Sequence, residues 1–213
     1  MDKTQPIYDN LKSEYEDFAT DCSAALRLVE ARINNLDQKI ERSVGYSPFF
    51  SITSRIKTFE SVMEKLERKG IDPEIESLKH RIRDVAGIRI VTLFRDEVYE
   101  VANLICRIPD FTVVDTKDYY KNPKNNGYAS LHIHVQVSIY DPIEERSKLI
   151  TIEIQIRSIS TNMWASIEHR IKYKNPNPSP KVEERFKSAA KALEVFDKTV
   201  MKLRDYEESS PES

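Results

Sequence analysis

Glycine is scarce in this chain, with 4 in 213 residues. That excludes a GxGxxG dinucleotide loop and a Walker A loop, which need several glycines to bring backbone against a phosphate. The two cysteines, Cys22 and Cys106, stand apart without CxxC or metal-ligand spacing. This excludes a cysteine zinc site and fits a reducing, cytoplasmic setting. No apolar run approaches the length of a membrane span, and the start Met1-Asp2-Lys3-Thr4-Gln5 lacks signal-peptide character. An excess of one charge is missing too: 33 basic residues face 35 acidic ones, a net charge of −2. The chain as a whole has no electrostatic pull toward nucleic acid or a membrane, and no stable nucleic-acid partner is expected. Any nucleotide it binds must be held by side chains.

Hydrophobic residues make up 39% and aromatics 9%, enough to bury the core of one domain with appended helices. Leu11, Tyr15, Phe18, Cys22, Leu26, Val29, Ile33, Leu36 and Ile40 recur at steps of three and four, which predicts a helix over 11–40. A turn-rich break follows at Gly45-Tyr46-Ser47-Pro48, then a helix over 58–69 stopped by Gly70. Asp72-Pro73 opens another that ends before Asp84. Strands are expected at 86–94, 111–117, 130–140 and 149–157, with a helix over 97–107. Helices over 159–172 and 182–206, split by the proline-rich 175–180, precede a frayed acidic tail, 207–213. The class is α+β: a mixed sheet with helices before and after it. We divide the chain into an N-terminal helix (1–45), a core (46–175), and a C-terminal helix with its tail (176–213).

The last two strands alternate strictly. Leu131, Ile133, Val135 and Val137 oppose Ser130, His132, His134 and Gln136; Ile150, Ile152, Ile154 and Ile156 oppose Thr151, Glu153, Gln155 and Arg157. The polar set is either a solvated face or the floor of a site, and Arg89 on the first strand can share it. Histidine, glutamate, glutamine and arginine supply donors, acceptors and metal ligands, which favours the floor. His132-x-His134 lacks further zinc ligands, so a hydrogen-bonding or phosphate-contacting role suits it better. Lys57, Ser61, Lys65 and Arg68 step by four, four and three along one helical face, either a salt-bridged surface or a polyphosphate cradle. Between the second and third strands, Asn126-Gly127 signals a hairpin turn. The connection of about ten residues exceeds what a hairpin needs. It carries Lys121, Lys124 and Tyr128, a stacking ring beside cations.

Five stretches, in order, resemble the synthetase domain of the RelA/SpoT-homologue alarmone synthetases. They are Ser54-Arg-Ile-Lys57 with Ser61-x-x-x-Lys65; Arg83-Asp-Val-Ala-Gly-Ile-Arg89; Asp118-Tyr-Tyr-Lys-Asn-Pro-Lys-Asn-Asn-Gly-Tyr128 with Ser130-Leu-His132; Glu153-Ile-Gln-Ile-Arg157; and Trp164-Ala-Ser-Ile-Glu-His169. They cover about 51–174, and the chain length matches a small synthetase of the family. The resemblance implies a nucleotidyltransferase-like sheet and transfer of the β,γ-pyrophosphate of ATP to the 3′-hydroxyl of GDP or GTP, with release of AMP. It also implies roles. Arg55 and Arg89 would sandwich adenine, and Lys57, Ser61, Lys65 and Arg68 would hold the ATP phosphates. Asp84 would bind Mg²⁺; Glu153 would help position that metal or accept the hydroxyl proton. Tyr128 would stack on guanine, with Asn162 reading its edge. Lys124, His132 and Gln155 would face the acceptor ribose and phosphates, with Glu168 and His169 supporting the site.

The sequence departs from the family at three places. Ser51 and Ser54 stand where one branch has a phenylalanine and a glycine that help hold an alarmone regulator. Lys117 replaces a common acceptor-loop arginine. Val182, Phe186, Ala189, Leu193, Phe196, Val200 and Leu203 form a heptad seam that serves either the chain's own core or a subunit contact. The resemblance implies a homotetramer. Two other functions remain open: a relative that pyrophosphorylates the tRNA 3′ end, and a catalytically silent nucleotide- or RNA-binding module.

Overall fold

The computed structural model describes residues 4–174 and 178–209. Five strands form one mixed sheet in the order β1-β2-β5-β4-β3. They are β1 (Phe49–Ile56), β2 (Ala86–Thr92), β3 (Thr112–Asp118), β4 (Leu131–Asp141) and β5 (Arg146–Ser158). β2 and β5 run parallel; the other neighbours are antiparallel. The helices are α1 (Thr4–Val44), α2 (Phe59–Lys69), α3 (Ile75–Arg81), α4 (Glu97–Ile105), α5 (Ile159–Lys174) and α6 (Pro180–Ser209). The proline-rich split falls partly at 175–177, outside the described residues, as does the tail beyond Ser209.

Helix α1 outruns the expected 11–40 by about two turns at its start and one at its end. Its stripe is real: Leu11, Tyr15, Cys22, Ala25, Leu26, Val29 and Ile33 are buried in one core with Ile133, Val135, Ile152 and Ile154 of the sheet. Each large apolar side chain buried this way contributes about 1.5–3 kcal/mol. α2 is bounded as its sequence demands. The Thr58 hydroxyl accepts from the Ser61 N–H, and Gly70 takes a left-handed φ of +62° to close the helix on Leu66 and Glu67. Val62 and Leu66 are buried, which leaves Ser61, Lys65 and Arg68 on the opposite side.

Three expectations need correction. The sheet has a fifth strand: β1 follows the break at 45–48, in a stretch to which the sequence reading gave no element, and pairs antiparallel with β2. As an edge strand it packs poorly, and only Phe49 is buried, so Ser51, Thr53, Ser54 and Arg55 give it no apolar alternation. Lys57 does not lie on the α2 face, because it precedes the Thr58 cap. The α6 seam divides. Phe186 packs with Val182, Ala190 and Leu193 against Trp164 and Ala165 of α5, and Asp197 continues that inward row. Phe196 and Leu203 are more than half exposed on another face.

The hairpin between β3 and β4 forms, and its loop rests on α6. Gly127 takes φ +92°, and a Cβ there would stand 2.6 Å from the Ala190 Cβ. Gly127→Ala therefore combines a strained backbone with a clash against a helix, and should lower unfolding stability by about 1–3 kcal/mol in urea titrations.

Candidate functional site

The register of β4 and β5 sets His132 beside Gln155 and His134 beside Glu153. Parallel pairing adds Arg89 of β2 beside Gln155 and Gly87 beside Glu153. Arg55 of β1 pairs with Gly87, so all of these share one face. The solvated-face reading fails: His132 is 8% exposed, His134 3%, Glu153 8% and Arg157 5%. This face is a buried polar floor.

At its centre, Glu153 Oε1 accepts from His132 Nδ1 at 2.9 Å and lies 3.6 Å from His134 Nε2. Its Oε2 accepts from Gln155 Nε2 at 2.7 Å. Burial pushes the carboxyl pKa up, but these hydrogen bonds outweigh it and hold Glu153 well below the usual range. Asp84, between α3 and β2, accepts at Oδ2 from both Lys57 Nζ and Lys65 Nζ at 2.5 Å. Again burial pushes up while the two lysines win, and the pKa falls. Asp84 Oδ1 is buried with no hydrogen-bond partner.

Two chambers meet above the floor. The larger, about 640 Å³, is lined by seven cations (Lys65, Lys69, Arg81, Arg83, Lys117, Lys124 and Lys172) against the carboxylates of Asp84, Glu153 and Glu168. Tyr119, Asn126, Tyr128, both histidines and Gln155 complete its lining. The smaller, about 80 Å³, lies between Arg55 and Arg89, over Gly87. Asp84, Glu153 and Gln155 border both. Among the described residues, the buried side-chain polar atoms without a hydrogen bond are Asp84 Oδ1, Arg89 Nε, His134 Nδ1 and Arg157 Nε. Each such atom costs about 1–3 kcal/mol. All four belong to this floor and its rim, which is how a site arranged for a ligand looks.

The chambers gather most of the residues singled out in the sequence. Lys65, Asp84, Lys117, Lys124, Tyr128, His132, Glu153, Gln155 and Glu168 line the larger; Arg55 and Arg89 line the smaller. Lys57 joins them through Asp84. Ser61 and Arg68 are exposed on α2 outside the lining, and His169 is exposed on α5. Asn162 sits instead at Arg157, whose Nη1 lies 3.5 Å from its Oδ1. Sequence reasoning assigned no role to Tyr119, Asn126 or Arg157. Tyr119 stands edge-on to Tyr128, with Lys124 Nζ 5.0 and 4.7 Å from the two ring centres. Asn126 donates to Glu168 at 2.9 Å. The tyrosine pair was visible in the sequence, but the Asn126–Glu168 bond spans 42 residues and left no local signal.

Fold and site together define an α+β protein whose polar sheet face and surrounding cations make a two-chamber site for phosphorylated ligands. Residues 54–178 match the family described as the region found in RelA / SpoT proteins. The chain is 33% identical over 208 residues to GTP pyrophosphokinase YwaC of Bacillus subtilis (strain 168), spanning 96% of this chain and 98% of that protein. The crystal structure of small alarmone synthetase 2 from Bacillus subtilis superposes with a TM-score of 0.81 at 31% identity, covering 91% of this chain and 99% of that one. Small alarmone synthetase 1 of the same organism, bound to its product pppGpp, gives a TM-score of 0.82 at 30% identity, covering 90% and 97%. The chain belongs to the RelA/SpoT family, and over nearly its whole length it is similar to that family's small alarmone synthetases.

Proposed function

We propose that this protein is a small alarmone synthetase. It transfers the β,γ-pyrophosphate of ATP to the 3′-hydroxyl of GDP or GTP, giving ppGpp or pppGpp and AMP. The observation that carries this reading is the sharing of Asp84, Glu153 and Gln155 by two chambers of different character. The 3′-oxygen bonds to the β-phosphorus, the bond from that phosphorus to the α,β-bridging oxygen breaks, and AMP leaves with the electron pair. Such a step needs in-line placement and neutralised charge more than covalent catalysis.

In this reading Arg55 and Arg89 clamp adenine across the small chamber. Lys57 and Lys65 face the phosphates, and Ser61 and Arg68 extend the same row along α2. Tyr128 stacks on guanine, while Lys117, Lys124, His132 and Gln155 face the acceptor ribose and phosphates. Glu153 orients the 3′-hydroxyl and stands where its proton departs. Mg²⁺ suits the donor set: Asp84 Oδ1 is a buried carboxylate oxygen without a partner, and Mg²⁺ is commonly held by one or two carboxylates plus substrate phosphates. Bound there, it would neutralise charge on the transferring pyrophosphate. The exposed Phe196 and Leu203 of α6 support assembly into a homotetramer. Among the described residues no helix is long and apolar enough to cross a membrane, which accords with a cytoplasmic enzyme.

The test is incubation with Mg²⁺, γ-labelled ATP and, separately, GDP, GTP or tRNA. Label on the guanosine nucleotide is expected. Label on tRNA alone would place the protein with the tRNA-modifying relatives, and nucleotide binding without transfer to any acceptor would overturn the assignment.

A further inference from the structure

Arg157 has no part in the reading above, yet it is 5% exposed and touches Asn162, Tyr128 and Gln155. Its Nη2 donates to Tyr128 Oη at 2.8 Å and to Gln155 Oε1 at 3.1 Å. The guanidinium carbon also lies 5.2 Å from the Tyr128 ring centre. Tyr128 Oη in turn bonds His132 Nε2 at 2.8 Å, His132 Nδ1 meets Glu153 Oε1 at 2.9 Å, and Gln155 Nε2 meets Glu153 Oε2 at 2.7 Å. The five side chains close a ring.

Donor chemistry gives the ring a direction. A guanidinium only donates and an ionised carboxylate only accepts, so Tyr128 Oη accepts from Arg157 and His132 Nδ1 donates to Glu153. Nε2 of the neutral imidazole is then the acceptor, and the Tyr128 proton points to it. On the other branch, Gln155 accepts from Arg157 through Oε1 and therefore presents its amide hydrogens to Glu153. Both branches start at one nitrogen of Arg157 and end on the two oxygens of one carboxylate. Arg157 and Glu153 thus hold the ring from its two ends, and between them they fix the amide orientation of Gln155 and the direction of the Tyr128 hydroxyl.

We propose that Arg157 is a positioning residue for pyrophosphate transfer, tying the ring that stacks on guanine to the carboxylate at the acceptor hydroxyl. The inference rests on the proposed function for its chemistry, while its geometry stands apart from it. A guanine that settles properly on Tyr128 finds Glu153 already aligned, and one that tilts the ring disturbs Glu153 by two routes.

Two measurements test this. In steady-state kinetics, Arg157→Gln should lower kcat about 100-fold, the scale of a 1 Å misplacement, with KM for ATP moved less than about 3-fold. Arg157→Lys should fail to rescue, since an ammonium lacks the planar fork. Tyr128→Phe, which keeps the stacking ring, should lower kcat about 10-fold, and Arg157→Gln added to it should cost clearly less than it does alone. A raised KM for ATP with activity restored by lysine would make Arg157 a simple charge on the donor and overturn the proposal, as would effects that multiply. The second measurement needs no activity and no Arg157 variant: ¹⁵N spectra of histidine-labelled protein at pH 8. The Nδ1-protonated tautomer of His132 is expected; Tyr128→Phe should keep it, because Glu153 still accepts from Nδ1, but should shift the Nε2 resonance by removing its hydrogen-bond partner. An Nε2-protonated His132 in the wild type would overturn the ring even if the protein makes alarmone. Conversely, the expected tautomer in a protein that transfers nothing would indict the proposed function alone.

Discussion

Asp84→Ala should lower kcat for pyrophosphate transfer about 10³-fold or more at saturating nucleotides, and should abolish the dependence of rate on Mg²⁺. Asp84 is the carboxylate at the chamber junction with a buried oxygen left unshared. Glu153 has both oxygens occupied by His132 and Gln155. A metal stabilises transition-state charge by several kcal/mol, and each 1.36 kcal/mol is about tenfold in rate. The substitution has a second consequence. Lys57 and Lys65 converge on one Asp84 oxygen, so removing it leaves two part-buried ammoniums facing each other. They would then spread, and the row meant for the polyphosphate would lose its spacing. Asp84→Asn separates the two effects, because it keeps one acceptor for the lysines but weakens the metal site. AMP release measured across a Mg²⁺ titration for both variants makes the comparison. Activity within about tenfold of wild type in Asp84→Ala would remove Asp84 from the mechanism.

Glu153→Gln is the second large effect, a kcat loss of about 10²–10⁴-fold, the range for losing a group that handles the reacting proton. Glutamine fits the space, but the surroundings were built for a pure acceptor. His132 Nδ1 and Gln155 Nε2 both donate to Glu153, so an amide there sets its own NH₂ against one of them. The pair of hydrogen bonds that outweighs burial in the native protein becomes one bond and one conflict. Nucleotide KM values should move by less than about 3-fold, because the Arg55 and Arg89 guanidiniums and the Tyr128 ring are all retained. A variant that binds both nucleotides poorly would make Glu153 a binding group.

The site was legible in the sequence where it followed the period of a strand. The alternation of His132 and His134 with Ile133 and Val135, and of Glu153 and Gln155 with Ile154 and Ile156, puts the floor on one face. Pairing in register then joined the two strands without slippage. What stayed hidden has physical reasons. β1 is an edge strand whose polar residues face a chamber, so its alternation carries no apolar signal. Lys57 and Lys65 share Asp84 across 27 and 19 residues, a convergence that helix spacing cannot report. Arg157 was visible as an arginine on the polar face, but the two partners that tie it into the ring lie 29 and 2 residues away, on a loop and on its own strand. The α6 seam was regular in sequence, yet a 30-residue helix packed along part of its length on α5 can bury only one row at a time. Asp197, hydrogen-bonded to Ser160 at 2.8 Å, takes an inward place that the apolar pattern had given to Phe196.

The most direct test of the central claim is ³¹P NMR of a reaction holding Mg²⁺, ATP and GDP with the purified protein. A synthetase that moves an intact pyrophosphate yields AMP and a guanosine carrying a new 3′-diphosphate, in equal amounts and without ADP. ADP appearing in step with a 3′-monophosphate would mean single phosphoryl transfer, and an unchanged spectrum with both nucleotides bound would mean a binding module; either contradicts the account.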